Sequence, residues 1–177
     1  MYSKTSNENS KFFNGSSSID KLEEDSPTPI NNEATKQLII RRLMTSTSQK
    51  QLDAISIVGI AGIGNTSLAT TVYENPSVVY HFHTRFWFTV SHFRDSRKIL
   101  CHILTSLIGY KPEFYEMGFE ELSEQLGKLL MGLRYLIVMD DVWDVRVWND
   151  LRRYFPDNKC GSRVMLTSRR GWFRITI

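Results

Sequence analysis

Four side chains carry most of the chemistry this sequence offers: Thr66, Asp140, Asp141 and Arg169. A hydroxyl and a carboxylate are hard oxygen donors of the kind Mg²⁺ takes. A second carboxylate beside the first can orient or polarise a water, and an arginine can reach a terminal phosphate. Thr66 stands in "GIAGIGNTSLA", Gly59 to Ala69, whose glycine spacing is that of a phosphate-binding loop. In such a loop glycines let the backbone fold around an anion. Successive N–H groups then point inward, and the following helix adds the positive end of its dipole. Gly59, Gly62, Gly64 and Thr66 fit the pattern GxxxxGK followed by Ser or Thr; Asn65 stands where the lysine belongs. A tight strand-to-helix turn, with glycines serving geometry alone, is the competing account of the same letters.

Elements must hold these groups together. "AISIVG" is a short apolar, β-branched run and predicts a buried strand before the loop; "TSLATTVYE" predicts a helix after it. Further strands are expected at Arg85 to Val90, Tyr135 to Met139 and Ser162 to Thr167. Helices are expected at Ala34 to Met44, in "SRKILCHILTSLI", in "FEELSEQLGKLLMGL" and in "VWNDLRRYF". Strands alternating with helices imply parallel pairing, and continuous apolar strands imply cover on both faces. The expected fold is therefore α/β, a doubly wound parallel sheet whose ligand lies beyond the carboxyl ends of its strands. Asp140 and Asp141 end the strand "LIVM", and Arg169 follows the last one.

Composition bounds the class. The chain has 177 residues with 41% hydrophobic content, enough for one packed domain. A net charge of only +3 makes no case for nucleic acid or an anionic membrane. Cys101 and Cys160 lack metal-ligand spacing and suit a reducing compartment, with Cys101 read as a core thiol. No apolar run approaches the roughly 18 residues of a membrane span, and the polar start has no signal-peptide core. Residues 1–32 read as a disordered, acidic leader, with a short helix near Ile19 to Glu24 as an alternative. His81 and His83 would share a face on a strand, but a third metal ligand is missing. Trp87, Trp143 and Trp148 are expected to pack between helices and sheet. Arg152, Arg153, Arg163, Arg169 and Arg170 make the last third basic without the pattern of a nucleic-acid module.

The glycine loop, "RFWFTVS", "YLIVMDDVW" and "GSRVMLTSR", in that order, resemble the nucleotide-binding NB-ARC domain of plant intracellular immune receptors with leucine-rich repeats. Trp143 after the aspartates resembles the branch with a coiled coil at its N-terminus. "LDAISIVGIAGIG" and "YENPSVVYHFHTRFWFTVS" look close to nightshade late-blight-resistance proteins. The resemblance covers roughly Glu33 to Arg169, and the domain is placed at 33–170 with an atypical end at 171–177. It implies a P-loop NTPase sheet and a cytoplasmic ADP/ATP switch in plant defence, including the hypersensitive response. It also implies other receptor chains or pathogen effectors as partners, and no nucleic acid. Carried over by position, Gly59, Gly62, Ile63, Gly64, Asn65, Thr66, Ser67 and Arg169 would contact nucleotide. Thr66 and Asp140 would hold Mg²⁺, and Asp141 would be the catalytic acid.

The chain departs from the family at Asn65 for lysine and at Ala61 for a glycine, and "GWFRITI" is not the family's continuation. The next strand and the following helical subdomains are expected to be missing, leaving a truncated domain with an exposed sheet edge. Loss of a charge-assisted hydrogen bond, roughly 1.5–3 kcal/mol, predicts ten- to a hundred-fold weaker binding. ADP should then be tolerated better than ATP, and hydrolysis should be very slow or absent. Two alternatives stand beside the switch: an interaction fragment or degenerate product that binds no nucleotide, and an NTPase of another class.

Overall fold

The computed structural model describes residues 33–45, 52–60, 62–92, 95–157 and 159–169. The expected leader, most of the polar linker after Met44, Ala61 and the 171–177 end lie outside the described residues.

Four strands, β1 (Asp53–Val58), β2 (Thr84–Thr89), β3 (Tyr135–Asp140) and β4 (Arg163–Ser168), form one sheet in the order β1-β4-β3-β2. All three pairings are parallel. Each strand lies within one residue of its expected position. β3 and β4 are buried along their whole length, the burial that a parallel sheet covered on both faces requires.

Alternation divides the side chains between two cores. Ile137 and Met139 of β3, with Val164 and Leu166 of β4, pack under α4 (Ser96–Ile108), α5 (Phe119–Leu130) and α6 (Val145–Leu151). Leu136, Val138 and Met165 face the other way, under α1 (Glu33–Met44), α2 (Asn65–Tyr73) and α3 (Pro76–His81). The helical spacing in α4 buries Ile99, Leu100, Ile103 and Leu104 together. Cys101 is buried as expected, and its thiol donates to the Phe114 carbonyl at 3.1 Å. Asp95 and Asp144 cap α4 and α6 by accepting from the second N–H of each helix.

Several expectations need correction. α3 was not anticipated, although "NP" at Asn75 and Pro76 carries its signal. Asn75 Oδ1 accepts from Ser77 N at 3.0 Å, and a proline fits the first helical position. His81 therefore ends a helix and His83 lies in the bend before β2, so they do not share a strand face. Trp87 and Trp148 pack against the two cores, whereas Trp143 is half exposed because it lies on the irregular exit from β3. Arg163 is not a surface cation. It is fully buried, donating through Nη1 to the Ser162 carbonyl at 2.9 Å and through Nη2 to the Thr45 carbonyl at 2.7 Å. That second bond fastens the end of α1 to the start of β4.

Candidate functional site

Parallel pairing with level register brings four strand ends to one edge. Val58 is opposite Ser168, and Thr89 is opposite Asp140. A cleft of about 530 Å³ opens there, lined by the loop after β1, the start of α2 and the ends of the other strands.

The loop is built by its glycines at two points. Gly62 and Gly64 have φ of 84° and 100°, the left-handed region that side chains disfavour. Ile63 N donates to the Ile60 carbonyl at 3.2 Å and closes the turn. Gly64 then caps α2 and offers no side chain to its first turn. The first intrahelical bond here runs from Leu68 N to the Gly64 carbonyl at 2.8 Å. Helix geometry leaves the N–H groups of Asn65, Thr66 and Ser67 without intrahelical acceptors, and all three residues line the cleft. Gly59 and Ile63 do not line it. Gly59 N is bonded to the Ser168 carbonyl at 3.2 Å, so these two residues shape the loop from behind.

Asn65 turns its side chain back into the protein. Its Nδ2 donates to the Gly59 carbonyl at 3.0 Å and to the Ser168 carbonyl at 3.1 Å. The amide thus ties the beginning of the loop to the end of β4. Its Oδ1 is buried without a hydrogen-bond partner among the described residues.

Asp140 is buried at the end of β3. Thr66 Oγ1 donates to its Oδ1 at 2.9 Å, and Thr167 Oγ1 donates to the same oxygen at 2.6 Å. Thr167 also accepts from Asp141 N at 2.8 Å, so one hydroxyl orients both acids. Sequence reasoning missed Thr167; its only signal is a polar residue at the end of an apolar strand. Thr89, which ends β2, and Ser91, in the turn after it, also line the cleft and were missed. Asp141 adopts φ of 54°, uncommon outside glycine, asparagine and aspartate. Its carboxylate meets Arg169 Nε at 3.1 Å. Asp141 does not cap the next helix, because Asp144 does.

Arg169 is the only cation among the described residues lining this cleft, against Asp140 and Asp141. A polyphosphate entering it needs further positive charge. Hydroxyl and carboxylate oxygens already converge at Thr66 and Asp140, and no hydrogen bond reaches Asp140 Oδ2 among the described residues. That donor set fits Mg²⁺. No group of three or more His, Cys, Asp or Glu with metal-binding proximity exists among the described residues, so the cleft's metal donors are one carboxylate and one hydroxyl.

Comparison with known proteins agrees with this architecture. The NB-ARC domain family matches residues 32–171. Late blight resistance protein homolog R1B-19 of Solanum demissum is 40% identical over 129 residues, 73% of this chain and 10% of that protein. Disease resistance protein RGA2 of Solanum bulbocastanum is 34% identical over 146 residues, 81% of this chain and 15% of that protein. The chain thus spans only a small part of the length of these relatives. A chain in a structure of Drosophila ORC bound to DNA aligns with a TM-score of 0.60 at 16% identity, over 80% of this chain and 38% of that one. At that identity the likeness speaks for the fold alone, a parallel sheet flanked by helices. With its glycine loop, paired aspartates and strand-end arginine on that sheet, the chain belongs to the NB-ARC domain family and is related to plant disease resistance proteins.

Proposed function

We propose that this domain binds ADP with Mg²⁺ and serves as the nucleotide-dependent switch core of a cytoplasmic plant immune receptor. The observation that carries the reading is the contact of Thr66 Oγ1 with Asp140 Oδ1 at 2.9 Å, beside the open first turn of α2. Gly59, Gly62, Ile63 and Gly64 shape the loop. The N–H groups of Asn65, Thr66 and Ser67 receive the inner phosphates. Thr66 and Asp140 hold the metal, which when bound neutralises phosphate charge that Arg169 alone cannot. Arg169 reaches toward an outer phosphate, and Asp141 orients water there.

Asn65 makes the outer-phosphate position weak. Its amide carries no charge, and both its donor hydrogens serve backbone carbonyls. ADP is therefore held better than ATP, and hydrolysis is very slow at most. Other receptor chains and pathogen effectors are the partners consistent with the disease resistance relatives, with no role for nucleic acid. No helix among the described residues is long and apolar enough to cross a membrane.

Titration calorimetry with ADP and ATP, with and without Mg²⁺, tests the reading on this chain and on Asn65→Lys. Both forms should bind ADP, the lysine form about ten-fold or more tightly, with the larger gain for ATP. Folded protein that binds neither nucleotide in either form would overturn it. The committed amide of Asn65 favours one second reading, a partner-binding domain that has lost nucleotide, and that same null titration would support it.

A further inference from the structure

The other end of the sheet carries a second cleft, of about 460 Å³. Three segments build it: the end of α3 with Tyr80 and His81 and the bend after it with His83, the approach to β3 with Arg134, and the approach to β4 with Lys159 and Cys160. Among the described residues, every charged residue lining it is basic. Arg134 Nε donates to the Cys160 carbonyl at 2.9 Å, which fixes the guanidinium across the gap between two of the segments. Lys159 has φ of 55°, in the left-handed region that side chains disfavour. Neither Arg134 nor Lys159 forms an ion pair among the described residues.

Asp157 Oδ1 accepts from Leu52 N at 2.9 Å, and Asp53 lies on β1 opposite the buried Arg163. The positive potential registers on His81, whose pKa is lowered by burial first and then by Arg134 and Arg163.

We propose that this cleft is a second anion site, separate from the nucleotide cleft, that takes a compact ligand carrying two or more phosphate charges. The guanidinium offers a planar fork for phosphate oxygens, and the Lys159 ammonium supplies a second full charge from another segment. His81 and His83 add ring N–H donors, and Tyr80 adds a hydroxyl. The two clefts lie at opposite ends of β2, β3 and β4, so one ligand cannot fill both.

The probe is inorganic pyrophosphate, titrated into the full ¹⁵N-labelled chain at constant ionic strength and followed residue by residue by NMR. A separate set of saturating shifts is expected at Tyr80 to His83, Gly132, Arg134 and Lys159 to Cys160. Arg134→Gln and Lys159→Gln should each weaken that set about ten-fold. Lys98→Gln, an exposed cation elsewhere, should leave it unchanged. Shifts confined to Gly62 to Ser67 would overturn the proposal. So would a response reproduced by chloride, or equal weakening by Lys98→Gln. Should Arg134→Gln unfold the chain, the exposed Lys159→Gln decides alone. Because the two clefts report on different residues, failure of nucleotide binding at the loop leaves this reading intact.

Discussion

Asn65→Asp is the most informative single change, because it keeps the shape of the side chain and inverts its chemistry. Asn65 Nδ2 donates to two carbonyls, those of Gly59 and Ser168. Replacing that nitrogen by oxygen removes both bonds, each worth about 0.5–1.5 kcal/mol, and faces a carboxylate toward two carbonyl oxygens. The loss should be about 2–4 kcal/mol at pH 7, with the second part coming from desolvated charge. At this chain length that corresponds to a fall in Tm of roughly 5–15 °C. The new carboxyl is destabilised when ionised, so its folded pKa is raised. The folded state then binds more protons than the unfolded state, and the deficit shrinks as pH falls toward about 4. Asn65→Ala should cost less, since it also removes the buried, unpartnered Oδ1. Asn65→Lys should melt near the parent, because an ammonium can serve the same carbonyls. Thermal melts of the four proteins at pH 7 and pH 4.5, without nucleotide, make the comparison. If the aspartate form melts with the parent at pH 7, the amide is not holding loop to strand and the reasoning fails.

Other consequences are equally direct. Thr66→Ala should abolish the strengthening of ADP binding by Mg²⁺ while Thr66→Ser retains it, as read by calorimetry with and without the metal. Arg169→Gln should change stability by less than about 1 kcal/mol, because its pair with Asp141 is largely exposed, yet it should erase any response to ATP over ADP. Burial, and secondarily Asp157, push the Tyr135 phenol above its ordinary value of 10.0. The folded state keeps that proton while the unfolded state releases it, so stability should decline as pH rises above about 10. Tyr135→Phe should flatten that decline in alkaline denaturant titrations, at the cost of the bond to the Pro156 carbonyl at 2.8 Å. Arg163→Met should destabilise by about 2–4 kcal/mol in urea unfolding, because it strips the carbonyls of Ser162 and Thr45 of a charged donor.

The sheet was legible because β1, β3 and β4 centre on apolar, largely β-branched or aliphatic residues, and β3 and β4 are buried along their whole length as doubly covered strands are. The loop with Thr66 stood out by its spacing and Asp140 as an acid ending an apolar strand, whereas Arg169 was assigned its role by the family resemblance; the fold brings them to one cleft. Two things were not. The retreat of the Asn65 amide onto Ser168 joins residues far apart in sequence, and nothing local in "GNTS" encodes it. Thr167 reads as one more strand residue until Asp140 is placed beside it by the register of β3 with β4. Arg163 and Trp143 show the same limit from the other side. Burial of a cation and exposure of a ring depend on what packs over them, which composition does not record.

The order of the strands also dictates an order of events. β2, β3 and β4 are neighbours in both chain and sheet, so they can pair progressively. β1 comes first in the chain but pairs with β4, the last of the four. Closing so long a loop is slow, and it must precede the contacts that reward it. The glycine loop hangs from β1, and its tether to Ser168 cannot form until β4 is in place. During synthesis the cleft should therefore be the last part of the sheet to assemble. Pulse-labelling hydrogen exchange would register this as late protection of β1 after protection of β3. A nascent chain would carry its whole loop well before it carried a binding site.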